Sequence, residues 1–270
     1  MSGRRPAAPN PAGAHFLHDR ALISQLVRAA GARDGRLVLD LGAGSGAITA
    51  RLAEAGARVI AVERDPRLAA RLRRRFDDDP RVRVVEADLR QVKLPHREFL
   101  VVASPPFSLT TALCRRLLGD PGVRLAAAEL IIQDGAARWL ASPRPRDAES
   151  AWWTARYEVR LARTVSAESF TPPPSVAAAR LSIRPRPMPA TAQRQLRVML
   201  RAAYRRPGAR ASTVLANTAA PGAPGRRLLI RAGIDPGALV EQITAEQWHR
   251  LALLPAAGRP PPRSGNPERR

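Results

Sequence analysis

The sequence predicts an α/β fold, in which a parallel sheet is followed by a small all-α domain. Short apolar runs alternate with stretches of helical periodicity through the first half of the chain. Buried runs joined by helical crossovers are typical of a parallel sheet with helices on both faces. A cluster of prolines and arginines at residues 184–189 then ends this alternation, and only helical periodicities follow it.

The elements of the sheet can be assigned in chain order from the spacing of apolar residues. A helix is expected around residues 22–27, where apolar residues recur at i, i+1, i+4 and i+5. Helices are also expected at residues 47–55 and 66–76. Residues 157–162 and 176–183 are strand candidates joined by a loop, which predicts an antiparallel hairpin at the end of the sheet. The runs expected to form the preceding strands are residues 37–41, 59–62, 82–85, 99–103 and 130–132.

These assignments divide the chain into four parts. Residues 1–13 are rich in proline, glycine, alanine and arginine, and we expect a flexible basic arm. Residues 14–186 are expected to form the sheet domain and residues 187–255 the helical domain. Residues 256–270 have no apolar periodicity and are expected to form a disordered tail. The helices expected in the second domain are residues 191–204, 209–218, 225–232 and 244–254.

The charge of the chain favours a polyanionic partner. The formal net charge is +22, and nucleic acid is the common partner of so basic a protein. The alternative is a basic surface that serves only solubility. An anionic membrane surface is less favoured because no amphipathic basic helix stands out. No run of eighteen apolar residues exists, so no membrane span is expected, and the first residues lack the apolar core of a secretory signal.

A single cysteine limits the covalent and metal chemistry of the chain. Cys114 can form no disulfide within the chain, and a cysteine-based zinc cluster is excluded. We therefore expect a cytoplasmic protein without a structural metal. Cys114 itself is expected on a helix as a small apolar residue.

A glycine-rich turn follows the first predicted strand. Residues 38–46 read Val-Leu-Asp-Leu-Gly-Ala-Gly-Ser-Gly, so the strand runs into Gly42 and Gly44 and then into a helix. Glycine allows positive φ and lets the backbone approach a ligand closely. The spacing is G-x-G-x-G and differs from the G-x-G-x-x-G of dinucleotide enzymes, so the turn can pass beside the amino-acid part of a nucleoside ligand. A plain turn is the alternative.

Two acids follow the second and third predicted strands. Glu63 can accept hydrogen bonds from ribose hydroxyls, and Asp88 can accept one from an adenine amino group. The alternatives are a Glu63 carboxylate paired with Arg64 and an Asp88 that caps a helix. Because the carboxyl ends of parallel strands lie at one edge of a sheet, the glycine turn and both acids predict a single nucleoside crevice.

A rigid loop after the fourth predicted strand indicates a reaction at the amino group of a base. Residues 104–107 read Ser-Pro-Pro-Phe, and two prolines after a strand end give a stiff, exposed loop. The Ser104 oxygens and the Pro105 carbonyl can accept hydrogen bonds from an amino group, and Phe107 can stack on a base. Two acceptors aimed at an adenine N6 favour its pyramidal, nucleophilic form. The alternative is an ordinary Pro-Pro turn with a core phenylalanine.

A second proline-rich loop lies between the last two predicted strands. Residues 170–176 read Phe-Thr-Pro-Pro-Pro-Ser-Val, and the prolines can present Phe170 to the other face of the base. A base inside a stem must be splayed out to reach such a clamp. The alternative is a plain connector between two strands.

Together these motifs resemble the Erm-type ribosomal RNA adenine-N6 methyltransferases, sisters of the small-subunit adenine dimethyltransferases. Motifs carry the resemblance over residues 14–184, and the helical region is similar in order and length. The resemblance implies a Rossmann-like S-adenosylmethionine-dependent methyltransferase sheet with a small C-terminal all-α domain. It also implies S-adenosylmethionine as the cofactor. The stretch 150–158 and the Ser-Val-Ala after the second proline loop are more similar to the Erm branch.

The resemblance assigns roles to particular residues. A Q-[NH]-F-L segment that lies against the cofactor in this family falls on residues 14–17, Ala-His-Phe-Leu, where the glutamine is lost. The family's N-[LI]-P-[YF] tetrad falls on residues 104–107 with serine in place of asparagine, which bears on the rate and on mono- versus dimethylation. Phe170 falls on a stacking phenylalanine. The residues expected to bind cofactor are His15, Leu17, Gly42, Gly44, Glu63, Asp88 and Ser104, and those expected at the reacting base are Ser104, Pro105, Phe107 and Phe170.

The resemblance also implies a substrate and a partner. It implies methylation of one adenine of 23S ribosomal RNA in the peptidyl transferase region by a monomer, with resistance to macrolides, lincosamides and streptogramin B. One alternative is a small-subunit 16S rRNA adenine dimethyltransferase of ribosome assembly. Another, motivated by Ser104, is an rRNA-binding factor with weakened chemistry. DNA amino methylation is less favoured because the remaining helices leave no room for a target-recognition domain.

Overall fold

A computed structural model of the chain describes residues 15–215 and 225–254. The predicted arm at 1–13 and tail at 256–270 lie outside these residues, as does the end of the helix expected at 209–218. The elements are β1 Phe16–Leu17, α1 Arg20–Ala30, β2 Leu37–Leu41, α2 Ala47–Glu54, β3 Arg58–Glu63, α3 Pro66–Arg75, β4 Val82–Glu86, β5 Phe99–Ala103, α4 Thr110–Leu118, β6 Leu125–Gln133, α5 Asp134–Leu140, α6 Ala148–Arg156, β7 Tyr157–Val165, β8 Phe170–Thr171, β9 Ala178–Pro185, α7 Ala190–Ala203, α8 Ala211–Leu215, α9 Gly225–Arg231 and α10 Ala245–Leu253.

The main sheet has seven strands in the order β4-β3-β2-β5-β6-β9-β7. The strands from β4 to β6 are mutually parallel, and β9 runs antiparallel to both β6 and β7. The predicted terminal hairpin is therefore present. From β2 the chain first builds outward through β3 and β4, and then returns to add β5 on the other side of β2. This reversal opens a crevice at the carboxyl ends of β2 and β5, where ligands of open α/β sheets bind.

The central strands of the sheet are buried on both faces. All five residues of β2 and of β5 are buried, as expected for parallel strands covered by helices. Side chains of α1 and α2 pack in one cluster with Val38, Val59 and Leu100. Strand residues that alternate with these and point to the opposite face, such as Leu39 and Val101, are at most 1% exposed. This rigid layer holds the loops at its carboxyl edge in place.

Side-chain caps fix where two of these helices begin. The Asp19 carboxylate accepts a hydrogen bond from the Leu22 N–H at the start of α1. The Asp65 carboxylate accepts from the N–H groups of Arg67 and Leu68, and Pro66 occupies the first turn of α3. Helix α3 therefore starts three residues after Glu63, the last residue of β3.

A buried ion network joins β6 to β9. The Glu129 carboxylate has no exposed area and accepts from Arg180 at 2.8 Å, Arg184 at 2.7 Å and the Ser182 hydroxyl at 2.9 Å. A buried carboxylate is tolerated only when its charge and lone pairs are satisfied, as they are here. The network fixes the register of the antiparallel pair.

The described chain forms two compact units. One runs to Ser142 and resumes over residues 157–186, and the other comprises residues 143–156 and the residues after 186. The boundary expected at 186 coincides with one limit of these units, but the expectation that all of 14–186 belongs to the sheet domain differs from this division. Helix α6 contacts α7 and α10 of the second unit. These contacts are tightly packed: Trp153 is 1% exposed, and the guanidinium groups of Arg156 and Arg197 lie 4.4 and 4.7 Å from the centroid of the Trp152 ring.

Within residues 15–215 and 225–254, no helix has both the length and the apolarity needed to cross a membrane.

Candidate active site

A cleft of about 640 Å³ lies at the carboxyl edge of the parallel strands. Its walls come from the loops that follow β2, β3, β4 and β5 and from the segment around β1. The structure brings together in this cleft every residue that the sequence assigned to a cofactor. These residues are His15, Leu17, Gly42, Gly44, Glu63, Asp88 and Ser104.

The glycine turn after β2 is packed too tightly for side chains. The N–H groups of Gly42 and Ala43 both donate to the Val62 carbonyl, at 2.8 and 3.0 Å, which folds the turn against β3. Gly44 has a φ of +54°, and a Cβ there would lie 2.9 Å from the Phe16 ring. A Cβ on Gly42, at φ +86°, would lie 3.4 Å from the Pro105 Cα. The turn is thus a bare backbone wall between β1 and the Ser-Pro-Pro-Phe loop.

Glu63 fixes the glycine turn from the end of β3. One carboxylate oxygen accepts from the Gly44 N–H at 2.8 Å, and the other accepts from the Asp65 N–H at 2.8 Å. The alternative pairing of Glu63 with Arg64 is not found, because the guanidinium of Arg64 lies 4.0 Å from Asp88 instead. Each carboxylate oxygen retains a second lone pair that can accept from a hydroxyl. Glu63 can therefore position the turn and bind a diol together.

Asp88 is a carboxylate held in one orientation by Arg90. It accepts from the Arg90 N–H at 2.8 Å and from the guanidinium at 2.6 and 3.0 Å. The side-chain hydrogen bond from Arg90 is the main reason that the pKa of Asp88 is lowered to about 2. Residues 87–92 form a turn, so the alternative of a helix cap does not apply. Asp88 stays an anionic acceptor at every physiological pH.

The Ser-Pro-Pro-Phe loop has both hydrogen-bonded and free acceptor groups. The Pro106 carbonyl accepts from the Leu109 N–H at 2.9 Å, and the Phe107 carbonyl accepts from the Thr110 hydroxyl at 2.8 Å. The Ser104 hydroxyl and the Pro105 carbonyl have no hydrogen-bond partner among the described residues. The carbonyls of Pro106 and Phe107 are therefore occupied at the start of α4. The acceptors of Ser104 and Pro105 are left for a substrate.

The two predicted stacking phenylalanines have different environments. Phe107 is half-buried, and its ring centroid lies 6.0 Å from that of His15. Phe170 is 2% exposed and meets Phe107 edge to face, with centroids 6.4 Å apart. The expectation that Phe170 is presented to a base does not agree with this burial. Its ring packs in the core beside Leu17, because β8 pairs antiparallel with β1, and it supports Phe107 from behind.

Pairing of β1 with β8 brings the N-terminal segment to the cleft. Phe16 lies opposite Thr171 and Leu17 opposite Phe170. The His15 Nδ1 lies 2.8 Å from the Pro172 carbonyl, and the His18 N–H donates to the Ser169 carbonyl at 2.9 Å. The second proline-rich loop therefore anchors His15 and Leu17 against the cofactor cleft. Strands of two residues have no periodicity, so no sequence pattern indicates this pairing.

Sequence reasoning also missed a buried acid behind the glycine turn. Asp40 in β2 has no exposed area, and the Thr49 hydroxyl of α2 donates to one of its oxygens at 2.7 Å. Burial is the main reason that the pKa of Asp40 is raised to about 7, and the nearby Glu63 charge raises it further. An acid within an apolar strand run was the only available signal.

Comparison with known proteins gives the family. A sequence model described as "Ribosomal RNA adenine dimethylase" matches residues 10–256, which is most of the chain. This chain belongs to the ribosomal RNA adenine dimethylase family. The family is one of S-adenosylmethionine-dependent methyltransferases, so the predicted family and the predicted cofactor are both confirmed.

Relatives within the family include both expected branches. The mycinamicin-resistance protein MyrB of Micromonospora griseorubida is 34% identical over 245 residues, which cover 90% of this chain and 77% of that protein. An rRNA adenine N-6-methyltransferase of Bacillus licheniformis is 30% identical, with 66% of this chain and 62% of that protein covered. This match thus spans less than two thirds of the Bacillus protein. The ribosomal RNA small subunit methyltransferase A of a Synechococcus strain is 36% identical, with 67% and 68% covered.

Solved structures agree with the sheet topology. The crystal structure of the 23S rRNA methyltransferase ErmE has a TM-score of 0.74 and 28% identity, and the match covers 88% of this chain and 98% of that one. The prediction of a Rossmann-like methyltransferase fold is confirmed. A dimethyladenosine transferase of Plasmodium falciparum, at 18% identity and a TM-score of 0.68, shares the fold.

Proposed function

We propose that this chain transfers a methyl group from S-adenosylmethionine to N6 of one adenine in 23S ribosomal RNA. The observation that carries the proposal is the Ser-Pro-Pro-Phe loop: Ser104 lines the cleft, and the Ser104 hydroxyl and the Pro105 carbonyl have no hydrogen-bond partner among the described residues. The large-subunit target is supported by the match to the 23S rRNA methyltransferase ErmE, which covers 88% of this chain.

The residues of the cleft fit the cofactor in size and chemistry. Its volume of about 640 Å³ lies within the usual range for a small-molecule site. Glu63 and Asp88 supply acceptors for a ribose diol and an adenine amino group. The bare backbone at Gly42 and Gly44 leaves room for the amino-acid part, and His15 and Leu17 close that end. When bound there, the cofactor supplies a methyl group already activated as a sulfonium.

The chain then has to orient and polarise the target amine. The Ser104 hydroxyl oxygen and the Pro105 carbonyl accept the two N6 hydrogens, which favours a pyramidal nitrogen with a free lone pair. Phe107, supported by Phe170, stacks on the adenine and fixes its distance from the methyl carbon. Ser104 and Pro105 would hold N6 towards the methyl group that the bound cofactor would supply, and the surplus N6 proton would pass to solvent. No strong base would be needed, because the methylated nitrogen carries a positive charge and its proton is strongly acidic.

Methylation of this adenine would remove an amino hydrogen-bond donor and add bulk to its surroundings. We therefore propose that the chain confers resistance to macrolides, lincosamides and streptogramin B. MyrB is named for resistance to mycinamicin, which accords with this consequence. Expression in a sensitive host is expected to raise erythromycin tolerance. Unchanged susceptibility in cells that contain soluble protein would contradict the resistance role.

Variants at Ser104 test the chemistry. Ser104→Ala removes one of two acceptors, and we expect single-turnover methyl transfer to 23S rRNA to slow about tenfold, the value of roughly one hydrogen bond. Ser104→Asn restores the acceptor preferred by the family and is the matched control, with a rate at least equal to the starting chain. A Ser104→Ala chain of full rate would show that the hydroxyl takes no part.

The small-subunit branch is a second candidate. The 36% identity to the Synechococcus small-subunit methyltransferase is the specific observation in its favour. Methyl transfer assayed separately on unmodified 23S and 16S rRNA distinguishes the two, and we expect incorporation into 23S rRNA. Tight RNA binding without incorporation into either RNA would favour a factor that has lost its chemistry.

A further inference from the structure

Helix α3 carries a row of arginines along the rim of the cofactor cleft. Arg67 and Arg71 are themselves part of the cleft lining, and Arg74 lies one turn beyond Arg71. The spacing i, i+4, i+7 places the three on one face of the helix. All three side chains are exposed to solvent. We refer to Arg67, Arg71 and Arg74 as the α3 arginine row.

The row differs from the other arginines of the same helix in having no partner. Arg73 donates to Glu86 at 3.0 Å, and Arg75 donates to the Ser45 carbonyl at 2.8 Å. For the side chains of the row, the described residues offer neither an ion pair nor a hydrogen bond. Asp65, the acid that directly precedes α3, accepts from backbone N–H groups instead. Three exposed guanidinium groups on one helix face are therefore left without an ion pair or hydrogen bond among the described residues.

The cofactor does not account for this charge. S-adenosylmethionine carries a sulfonium and no phosphate, and its one carboxylate belongs to the amino-acid part, which the proposed placement sets beside Gly42 and Gly44 and not at the adenosine end. The polar groups of its adenosine part are matched by acids, Glu63 and Asp88. A polyanion that arrives next to the bound cofactor is the ligand that this row fits, because a guanidinium binds phosphate oxygens in bidentate fashion.

The dimensions of the row suit a nucleic-acid backbone. Seven residues of helix rise about 10 Å, and a nucleic-acid strand advances about 3.4 Å per phosphate along a duplex axis. The row can thus contact two or three successive phosphates. Such contacts carry no sequence information and set the register in which the target base enters the site.

We propose that the α3 arginine row binds backbone phosphates of the substrate RNA beside the cofactor cleft. This surface belongs to the sheet domain. The identification of the polyanion as RNA rests on the proposed function. An RNA bound there lies along the rim of the cleft at its adenosine end. Release of the cofactor product is therefore slower while RNA is bound.

The test compares two triple variants of equal charge. Arg67→Gln/Arg71→Gln/Arg74→Gln removes the row, and Arg33→Gln/Arg58→Gln/Arg124→Gln is the control. The control arginines are also exposed, and they lie at or just before the amino ends of β2, β3 and β6, at the opposite edge of the sheet. Affinity for an unmodified 23S rRNA transcript is measured with S-adenosylhomocysteine present, over a range of KCl concentrations.

We expect the row variant to lose at least tenfold in RNA affinity at about 0.1 M KCl. The slope of log affinity against log salt should fall by about 2, since each lost phosphate contact contributes about 0.7–0.9. The control should lose clearly less, and S-adenosylhomocysteine affinity should change less than twofold in both variants. Equal losses of RNA affinity in the two variants would show that only net charge matters, and would overturn the proposal. So would a tenfold loss of cofactor affinity in the row variant, which would assign the arginines to the cofactor.

Cofactor release supplies a second measurement. RNA is expected to slow S-adenosylhomocysteine dissociation from the starting chain and from the control, and to have no such effect on the row variant. Equal slowing in all three would overturn the placement of RNA along the rim. If the starting chain binds the transcript through the row but does not methylate it, only the proposed function is contradicted. Failure of the proposed function can thus be distinguished from failure of the RNA-binding proposal.

Discussion

Gly44 illustrates how one residue without a side chain shapes the cofactor site. Its backbone is left-handed at φ +54°, and the Phe16 ring occupies the space that a Cβ would need. Gly44 also donates its N–H to Glu63 at 2.8 Å. The residue therefore joins β1, the turn and the ribose-binding acid, and a side chain there disturbs all three.

Gly44→Ala is expected to weaken cofactor binding at least tenfold. The clash at 2.9 Å must displace Phe16 or the turn itself. Gly35→Ala is the control, because Gly35 is left-handed at φ +71° with nothing within 4 Å of the added Cβ and lies outside the cleft. Both variants should lose about 1 kcal/mol of unfolding free energy from backbone strain. Equal cofactor affinity in the two, measured by calorimetric titration, would contradict the packing described.

Asp40 predicts a pH dependence of stability. Its pKa is about 7 in the folded chain and 3.8 by its ordinary value, so the folded chain binds more protons between these limits. Stability contributed by Asp40 therefore falls as the pH rises from about 4 to 7. Asp40→Asn keeps an acceptor for Thr49 and removes the charge.

Urea unfolding at pH 5 and pH 8 measures this effect. The variant should gain stability relative to the starting chain as the pH rises, by at most about 4 kcal/mol across the whole interval, since one pKa unit corresponds to about 1.4 kcal/mol. The same pH dependence in both chains would show that Asp40 titrates normally.

At the scale of elements, predictability from sequence follows burial and length. The run 37–41 is apolar and bounded by turn residues, and it forms β2 with those bounds. Helix α6 gave no such signal, because all residues from Ser150 to Arg156 are buried and an all-round buried helix has no apolar stripe. Strand β6 starts at Leu125, earlier than predicted, because its alanines pair with β5 although alanine favours helices.

The acids of the cofactor cleft could be predicted from the sequence, whereas the β1–β8 pair beside them could not. Glu63 and Asp88 could be placed together because they follow adjacent parallel strands, and both line the cleft. Phe170 was assigned to the base from its proline-rich loop, but pairing of β8 with β1 turns its ring into the core. That pairing joins residues more than 150 positions apart, and no local pattern contains it.

Phe170→Ala tests this assignment at the level of the β1–β8 pair. Removing a ring that is 2% exposed should cost about 3–5 kcal/mol of unfolding free energy. Phe107→Ala removes a half-buried ring, so it should cost less stability while it abolishes most methyl transfer. The two measurements are urea unfolding and single-turnover rate. A Phe170→Ala chain with undiminished stability would place that ring at the surface after all.

At the scale of the whole molecule, the two units do not correspond to two consecutive stretches of chain. Residues 143–156 lie between strands of the sheet in sequence and pack with α7 and α10. The Ala245 N–H donates to the Pro143 carbonyl at 2.9 Å, and Trp153 and Trp248 are both buried. The second unit therefore includes a segment that lies, in sequence, between strands of the first unit.

A chain ended at residue 186 is consequently expected to fold poorly. It keeps α6 but loses α7 and α10, so the apolar side chains of α6 become exposed and promote aggregation. A chain that ends there and also has 143–156 replaced by a short glycine-serine linker should be more soluble. Size-exclusion chromatography and binding of a hydrophobic dye compare the two. A simple truncation that stays monomeric would contradict the division into units.

The central claim joins the cleft, the Ser-Pro-Pro-Phe loop and the family in one reaction. Mass spectrometry of nuclease-digested rRNA tests it most directly, on cells that express the chain and on cells that express its Ser104→Ala/Phe107→Ala variant. We predict one additional N6-methylated adenine in 23S rRNA, which is absent or strongly reduced with the variant. Unmodified 23S rRNA in cells that contain the folded protein, or new methylation confined to 16S rRNA, would contradict it.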